Sequence, residues 1–373
     1  MSTLGIVVPG VLSLLGLLGL ATLATESPAP IQRIYCGTFA GGDKGGIYTG
    51  TFDQATGELS PLTMVARIDS PSFLVKHPSQ PFLYAIGEEN TSSGRKSVLA
   101  IYNSNAASGS LDLVEKTAIG PTGDCHLAVS KDGKYLATAN YGTGVVLLFE
   151  MTSPSKLGSK LGEFQHKGSG PNKGRQEGPH AHSVDFDPAG KFLLSADLGA
   201  DRVFVYSVGT SPKPVSAAEC EAGVGPRHVA FDKTGKRVYV VNEMDATVTR
   251  FSFDPSTGAM ARFEKVSLME SAAPRKGAAE VAVHPSGKWL LASNRLDENT
   301  VNSFALDSAT GQLGFTSRVH KPLTHPRHFV IDPSGRWILV GSMDADEVRV
   351  ASFDPMTGGL TLRSNQATMP KPT

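Results

Sequence analysis

Residues 178–206 read GPHAHSVDFDPAGKFLLSADLGADRVFVY, and residues 225–253 restate them as GPRHVAFDKTGKRVYVVNEMDATVTRFSF. In both, an alternating apolar and polar run meets an Asp-containing turn, then Gly-Lys, then a second alternating run. Asp or Pro opens such a turn, and Gly supplies the positive φ that closes it. The flanking β-branched and aromatic residues at period two predict strands, so each passage is a hairpin.

The same unit recurs outward in both directions. It appears as FLVKHPSQPFLYAIGEE (73–89), HLAVSKDGKYLATANY (126–141), EVAVHPSGKWLLASNRL (280–296) and HFVIDPSGRWILVGSMD (328–344). Aligned on their first residues, the units at 126, 182, 228, 280 and 328 lie 56, 46, 52 and 48 residues apart. A second hairpin with a Thr-Gly-type turn follows each of these six and another precedes the first, from YTGTFDQATGELSPL (48–62) to VRVASFDPMTGGLTL (347–361), seven in all. Two hairpins per repeat make a four-stranded antiparallel sheet. Radial repetition of such sheets predicts an all-β fold, a seven-bladed β-propeller of four-stranded antiparallel blades. A solenoid would need capping repeats, and none is visible. The first blade lacks a first strand of its own, because IYCGTF (34–39) matches a second strand. The chain end, RSNQATMPKPT (363–373), is expected to complete it.

Composition sets outer bounds. The 373 residues carry 35 basic and 35 acidic side chains, so nothing attracts nucleic acid as a whole. Gly (40) and Pro (24) are plentiful, yet hydrophobic residues reach 40%, which suits many turns around a core rather than disorder. Residues 4–23, LGIVVPGVLSLLGLLGLATL, are apolar and uncharged. Residues 1–30 therefore read as a signal peptide or N-terminal anchor, with a single propeller domain over 31–373. That predicts a secreted or periplasmic monomer without stable membrane contact once the leader is cleaved, and a cytoplasmic one if the leader is not functional. Cys36, Cys125 and Cys220 are too few and too widely spaced for a disulfide framework or a zinc motif, and read as buried thiols.

In a propeller, first strands start and second strands end at one face, around one mouth of the channel. The entrances bring Ser72, Cys125 and His126, His180 and His182, Arg227 and His228, Glu280, and Arg327 and His328. The exits bring Glu88 and Glu89, Asn140 and Tyr141, Asp197, Asn242 and Glu243, Asn294 and Arg295, and Ser342 and Asp344. The scaffold repeats while the residue at the mouth changes, which is how a ring makes an asymmetric polar site.

PHAHSVDF, GPRHVAF with VYVVNE, and GAAEVAVHPSGKWLLASNR together resemble the seven-bladed-propeller lactonases, over essentially all of residues 31–363. That family includes 6-phosphogluconolactonases and carboxymuconate-cyclising enzymes. The resemblance implies hydrolysis, or formation, of a sugar-acid or dicarboxylate lactone. It implies catalytic roles for His182 (or His180), Arg227, Glu243 and Arg295. His180, His228, Asp197, Glu280, Arg327 and His328 are read as substrate-binding.

The chemistry is consistent with the residue types. Arginines offset charge on a carboxyl oxygen, and an imidazole moves the proton. Glu243 is expected to orient the histidine or act as base on water. There is no G-x-S-x-G elbow. No cofactor and no metal are expected, because two arginines would oppose a dication beside Glu243, Asn242, Asp197 and His182. Lys173 and Arg175, in HKGSGPNKGRQEGPH (166–180), read as a solvated connection, with a lid over the mouth as the alternative. A non-catalytic extracytoplasmic propeller that binds a ligand or protein is the second reading of the whole chain. The low aromatic content, 7% with two tryptophans, favours the enzyme.

Overall fold

The computed structural model describes residues 31–373. The expected leader lies outside the described residues. Within them the strands form seven antiparallel sheets arranged as the blades of a propeller. Six sheets have four strands in sequence order, and the first has three. In blade 5 the inner strand Pro226–Phe231 pairs with Arg237–Asn242, then Thr247–Phe253, then Met260–Ser267. Glycines 133, 190, 235, 287 and 335 close the inner hairpins with φ between 66° and 75°, the conformation that the turn requires. Alternate strand residues bury between neighbouring blades, as in the cluster of Leu194, Val205, Val229, Val240 and Phe251 between blades 4 and 5.

The first residues of the inner strands do not pair one to one. In blades 3, 4, 5 and 7 the register shifts between Asp124 and His126, Ala181 and Ser183, Pro226 and His228, and Pro326 and His328. In blade 6 it shifts between Ala278 and Val281. One or two residues bulge there, and bulges at such places re-aim side chains. Cys125, His182, Arg227 and Arg327 are bulge residues. Counting back from the strand ends, His182 stands level with Arg227 and Arg327, and Ser183 with His126, His228 and His328. The letter-by-letter alignment of the repeat had set His182 level with the other histidines. It was one residue out, because His182 happens to begin the same string.

Ring closure also differs from expectation. Leu360–Thr368, which takes in most of RSNQATMPKPT, is the outer strand of blade 7. Only the last residues reach blade 1, through a bridge between Thr38 and Pro372 and backbone bonds from Phe39 to Lys371 and from Thr373 to Gly37. Pro370 and Pro372 have no N–H to extend that ladder. Apolar packing of Phe52, Leu59, Trp337 and Met369 seals the seam between blades 7 and 1 instead.

Candidate active site

Two layers of inner-strand residues line the mouth. The outer layer is Ser72, Cys125, His182, Arg227, Ala279 and Arg327. One residue deeper lie Phe73, His126, Ser183, His228, Glu280 and His328. The positions just past the second-strand exits add Tyr141, Glu243 and Arg295 to the rim.

Glu243 is the hub of the outer layer. Its Oε2 accepts from Arg227 Nε at 3.1 Å and forms an ion pair with Arg295 Nη2 at 2.9 Å, and its Oε1 accepts from Arg175 Nη2 at 2.7 Å. Burial alone would raise its pKa, but Arg295 and Arg227, with the hydrogen bond from Arg175, hold it well below the carboxylate range. A carboxylate so firmly ionised is a poor base for water. The geometry gives Glu243 the task of gathering three guanidinium groups; of its two expected roles it keeps the place beside the histidine, 3.9 Å away, rather than that of base on water.

His182 lies 3.9 Å from that carboxylate through Nε2 and 3.8 Å from Cys125 Sγ through Nδ1. Burial, then Arg227 and His228, lower its pKa well below the usual imidazole value, so it is neutral at working pH. The Cys125 thiol is pushed up to about 12, chiefly by burial. All three cysteines are free.

The guanidinium groups differ in what they have left to donate. Arg227 spends Nε on Glu243 and Nη1 on His228 Nε2 (3.0 Å) and the Ala279 carbonyl (2.6 Å), leaving Nη2 without a partner among the described residues. Arg295 is nearly used up on Gly277 O, Ala278 O, His325 Nε2 and Glu243. Arg327 makes no hydrogen bond or ion pair among the described residues, and its guanidinium packs over Phe39 at 4.8 Å. Burial, then Arg227 and Arg295, lower its pKa to about 9. Arg227 and Arg327 face a common void bordered by Ser72 and Cys125, of about 10 Å³. That is room for about one water, so a larger ligand sits outward of it.

In the deeper layer His228, Glu280 and His328 are held by one another and by Arg227, whereas the buried Ser183 hydroxyl has no partner among the described residues. A guanidinium can only donate, so His228 Nε2 accepts from Arg227 and its proton sits on Nδ1. That N–H donates to Glu280 Oε2 at 3.1 Å; His328 Nε2 lies 3.1 Å from the same oxygen, and the Val281 amide donates to Oε1 at 3.0 Å. The rings of Phe73 and His126 pack at 4.0 Å, and those of His126 and His228 at 4.8 Å, so the layer plugs the channel. Glu280, His228 and His328 thus brace the mouth from beneath.

Asp197, read from sequence as substrate-binding, has a different task. It is fully buried, its Oδ2 is 2.6 Å from His166 Nδ1, and its Oδ1 accepts the His180 and Ala200 amides. It occupies the strand-exit position that Asn140, Asn242, Asn294 and Ser342 hold in other blades, where the side chain ties down the connection. His180 stacks on Tyr141 at 4.5 Å and donates from Nδ1 to the Tyr141 carbonyl, at the rim rather than beside Glu243.

Most of the segment 166–180 is exposed, Lys173 included, as expected of a solvated connection, but it is anchored at two points and sends one side chain into the mouth. His166 and Gln176 are buried, Gln176 bonds the Leu198 carbonyl at 2.9 Å, and Arg175 reaches inward to Glu243 and the Tyr141 hydroxyl (3.3 Å). Arg175 takes the place that the lid alternative gave it, over the mouth, while His166 and His325 were missed as parts of the site. Among the described residues no group of three His, Cys, Asp or Glu side chains is arranged to hold a metal, and no helix is long and apolar enough to cross a membrane.

Residues 33–373 match the family model described as lactonase, 7-bladed beta-propeller. The chain is 28% identical over 340 residues to a 6-phosphogluconolactonase of Bacillus subtilis, covering 91% of this chain and 96% of that one. It is 30% identical over 339 residues to a 6-phosphogluconolactonase of Formosa agariphila, covering 88% and 94%. Among solved structures, the periplasmic gluconolactonase of Pseudomonas aeruginosa superposes with a TM-score of 0.85 at 28% identity, covering 92% and 98%.

Proposed function

The chain belongs to the seven-bladed β-propeller lactonase family, and from that premise we propose that it hydrolyses a small lactone at the channel mouth, over Arg227 and Arg327. The observation that carries the site is the pair of guanidinium groups with unspent donors facing one void, Arg227 Nη2 and the whole of Arg327. Four arginines meet there with Glu243 as the one carboxylate of the outer layer, so the mouth favours anions: the oxyanion of the reaction, the carboxylate product, and a phosphate or second carboxylate on the substrate. A sugar-acid lactone, phosphorylated or not, is the substrate class that this charge and the family support together.

In this reading, water attacks the lactone carbonyl carbon while neutral His182 takes its proton. The carbonyl oxygen becomes an oxyanion held by Arg227 and Arg327. The ring C–O bond then breaks, and the leaving alkoxide takes the proton back from His182. Glu243 steadies the imidazolium from 3.9 Å and keeps Arg227, Arg295 and Arg175 in place. Arg175 caps the rim and swings aside to admit the ring.

The test is a pH-indicator assay of the purified full chain on 6-phosphogluconolactone, gluconolactone and muconolactone, with His182→Ala and Arg227→Ala alongside. Turnover that both substitutions remove supports the assignment. Turnover that neither affects moves the reaction elsewhere. Turnover of none by the folded protein sinks the hydrolase reading. The apolar run at 4–23 supports an extracytoplasmic location. N-terminal sequencing of the exported protein tests the location, and sedimentation tests the oligomeric state.

A further inference from the structure

Six blades have an innermost strand; blade 1 has none among the described residues, so its first strand Ile31–Cys36 keeps an unpaired inner edge along most of its length. The C-terminal residues cover only the mouth end of that slot. What remains is a cavity of about 120 Å³ between blades 7 and 2. Its walls are apolar: Ile34 from blade 1, Phe73 and Leu74 from blade 2, and Val330, Leu339 and Val348 from blade 7. It adjoins the void beneath the arginines, because Phe73, His328 and Thr373 border both. Tyr35, also in the wall, has its hydroxyl buried without a hydrogen-bond partner.

We propose that this cavity is a subsite for an apolar arm, an alkyl or acyl substituent of about four carbons, on a lactone bound at the mouth. It rests on the lactonase reading and extends its substrate class. A dry apolar cavity of about 150 Å³ accepts a benzene-sized ligand, so this one takes a short chain rather than a second ring. The lactone carbonyl stays with Arg227 and Arg327 while the arm parts the edge-to-face contact of Phe73 and His328, whose ring centroids lie 5.4 Å apart, to enter the cavity. An oxygen on the arm accepts from Tyr35. A fully polar sugar leaves the cavity empty and forgoes that burial.

The experiment uses the full chain with δ-valerolactone and its homologues carrying one to six carbons at the ring carbon beside oxygen. KM is expected to fall about fourfold per methylene, the transfer value of one buried CH₂, and to level off after about four. Val330 is 48% exposed and faces the slot, so Val330→Phe fills the space without disturbing the packed core. It should flatten the series while leaving kcat on unsubstituted δ-valerolactone unchanged. A wild-type series with no slope, or the same slope in Val330→Phe, overturns the proposal. A non-hydrolysable probe, 2-butylcyclopentanone, separates it from the lactonase reading. A rise in Tm in wild type but not in Val330→Phe upholds the subsite even if no lactone turns over; no rise in either rejects it.

Discussion

Arg227 and His228 are adjacent in one strand, yet they belong to two layers with opposite habits. In the outer layer, Arg227 and Arg327 keep donors in reserve, and positive charge outnumbers negative. One residue deeper, His228, His328 and Glu280 satisfy one another and close the channel. The bulge at the strand entrance separates them, because it turns one extra side chain toward the mouth while the next resumes the regular pleat. Unspent hydrogen-bonding capacity marks the layer that meets a ligand, and spent capacity marks the layer that supports it.

The contrast breaks most severely if Arg227 is lost. Arg227→Ala removes an oxyanion donor and is expected to cut kcat/KM by about 10³, as loss of such donors does elsewhere. Steady-state rates alongside a melting curve check that the protein is still folded. Glu243→Gln should leave three guanidinium groups without their shared counter-charge, at a cost of about 3 kcal/mol in stability. Urea denaturation reads this directly, and an unchanged midpoint would contradict the hub role.

Arg327→Ala should lower kcat/KM by about 10², mainly through KM for an anionic lactone. Its pH dependence sharpens the point. Burial sets the guanidinium pKa to about 9, so its positive charge is present below that pH and lost above it, and KM should climb as pH rises through about 9. On the acid side, His182 stays neutral well below the usual imidazole value, so kcat/KM should show no inflection near 6.5. A bell with its acid limb there would assign the proton to another group.

The smallest effect belongs below both layers. Burial, the largest cause, lifts the Asp185 carboxyl to about 7. The native chain then holds a proton that the unfolded chain releases near the ordinary aspartate value of 3.8. That proton stabilises the fold at low pH, and the contribution fades as pH rises from about 4 to about 7. Asp185→Asn should remove this slope and add about 1 kcal/mol at pH 8, a modest figure because Asp185 borders the open channel. Melting temperatures at pH 4 and pH 8 test it.

The architecture was legible in the repeated turn, because Asp and Gly at fixed offsets fix a hairpin whatever surrounds them. The mouth was legible too, since strand entrances and exits share a face by topology: His182, Arg227, Glu243 and Arg295 do converge. What was hidden depends on register and on distance. A bulge is silent in the letters, so His182 was set level with the wrong neighbours. The ionisation of Glu243 depends on three arginines from separate segments, at 175, 227 and 295. Asp197 ends its second strand and Glu243 follows the end of its own, and that one residue of offset sends the first into a buried bond with His166 and the second to the rim. The short closure of blade 1 came from two prolines whose effect on a strand was foreseen and whose partner strand was not.

The claim that the outer layer receives the ligand while the deeper one only braces it is tested most directly by calorimetric binding of a ring-opened hydroxycarboxylate, 6-phosphogluconate. The titration compares wild type, Arg327→Ala and Glu280→Gln. The account predicts that Arg327→Ala weakens Kd by about 30-fold or more, as loss of a charged hydrogen-bond donor does, and that Glu280→Gln changes it by less than about threefold. Equal losses, or a larger loss in Glu280→Gln, would contradict it.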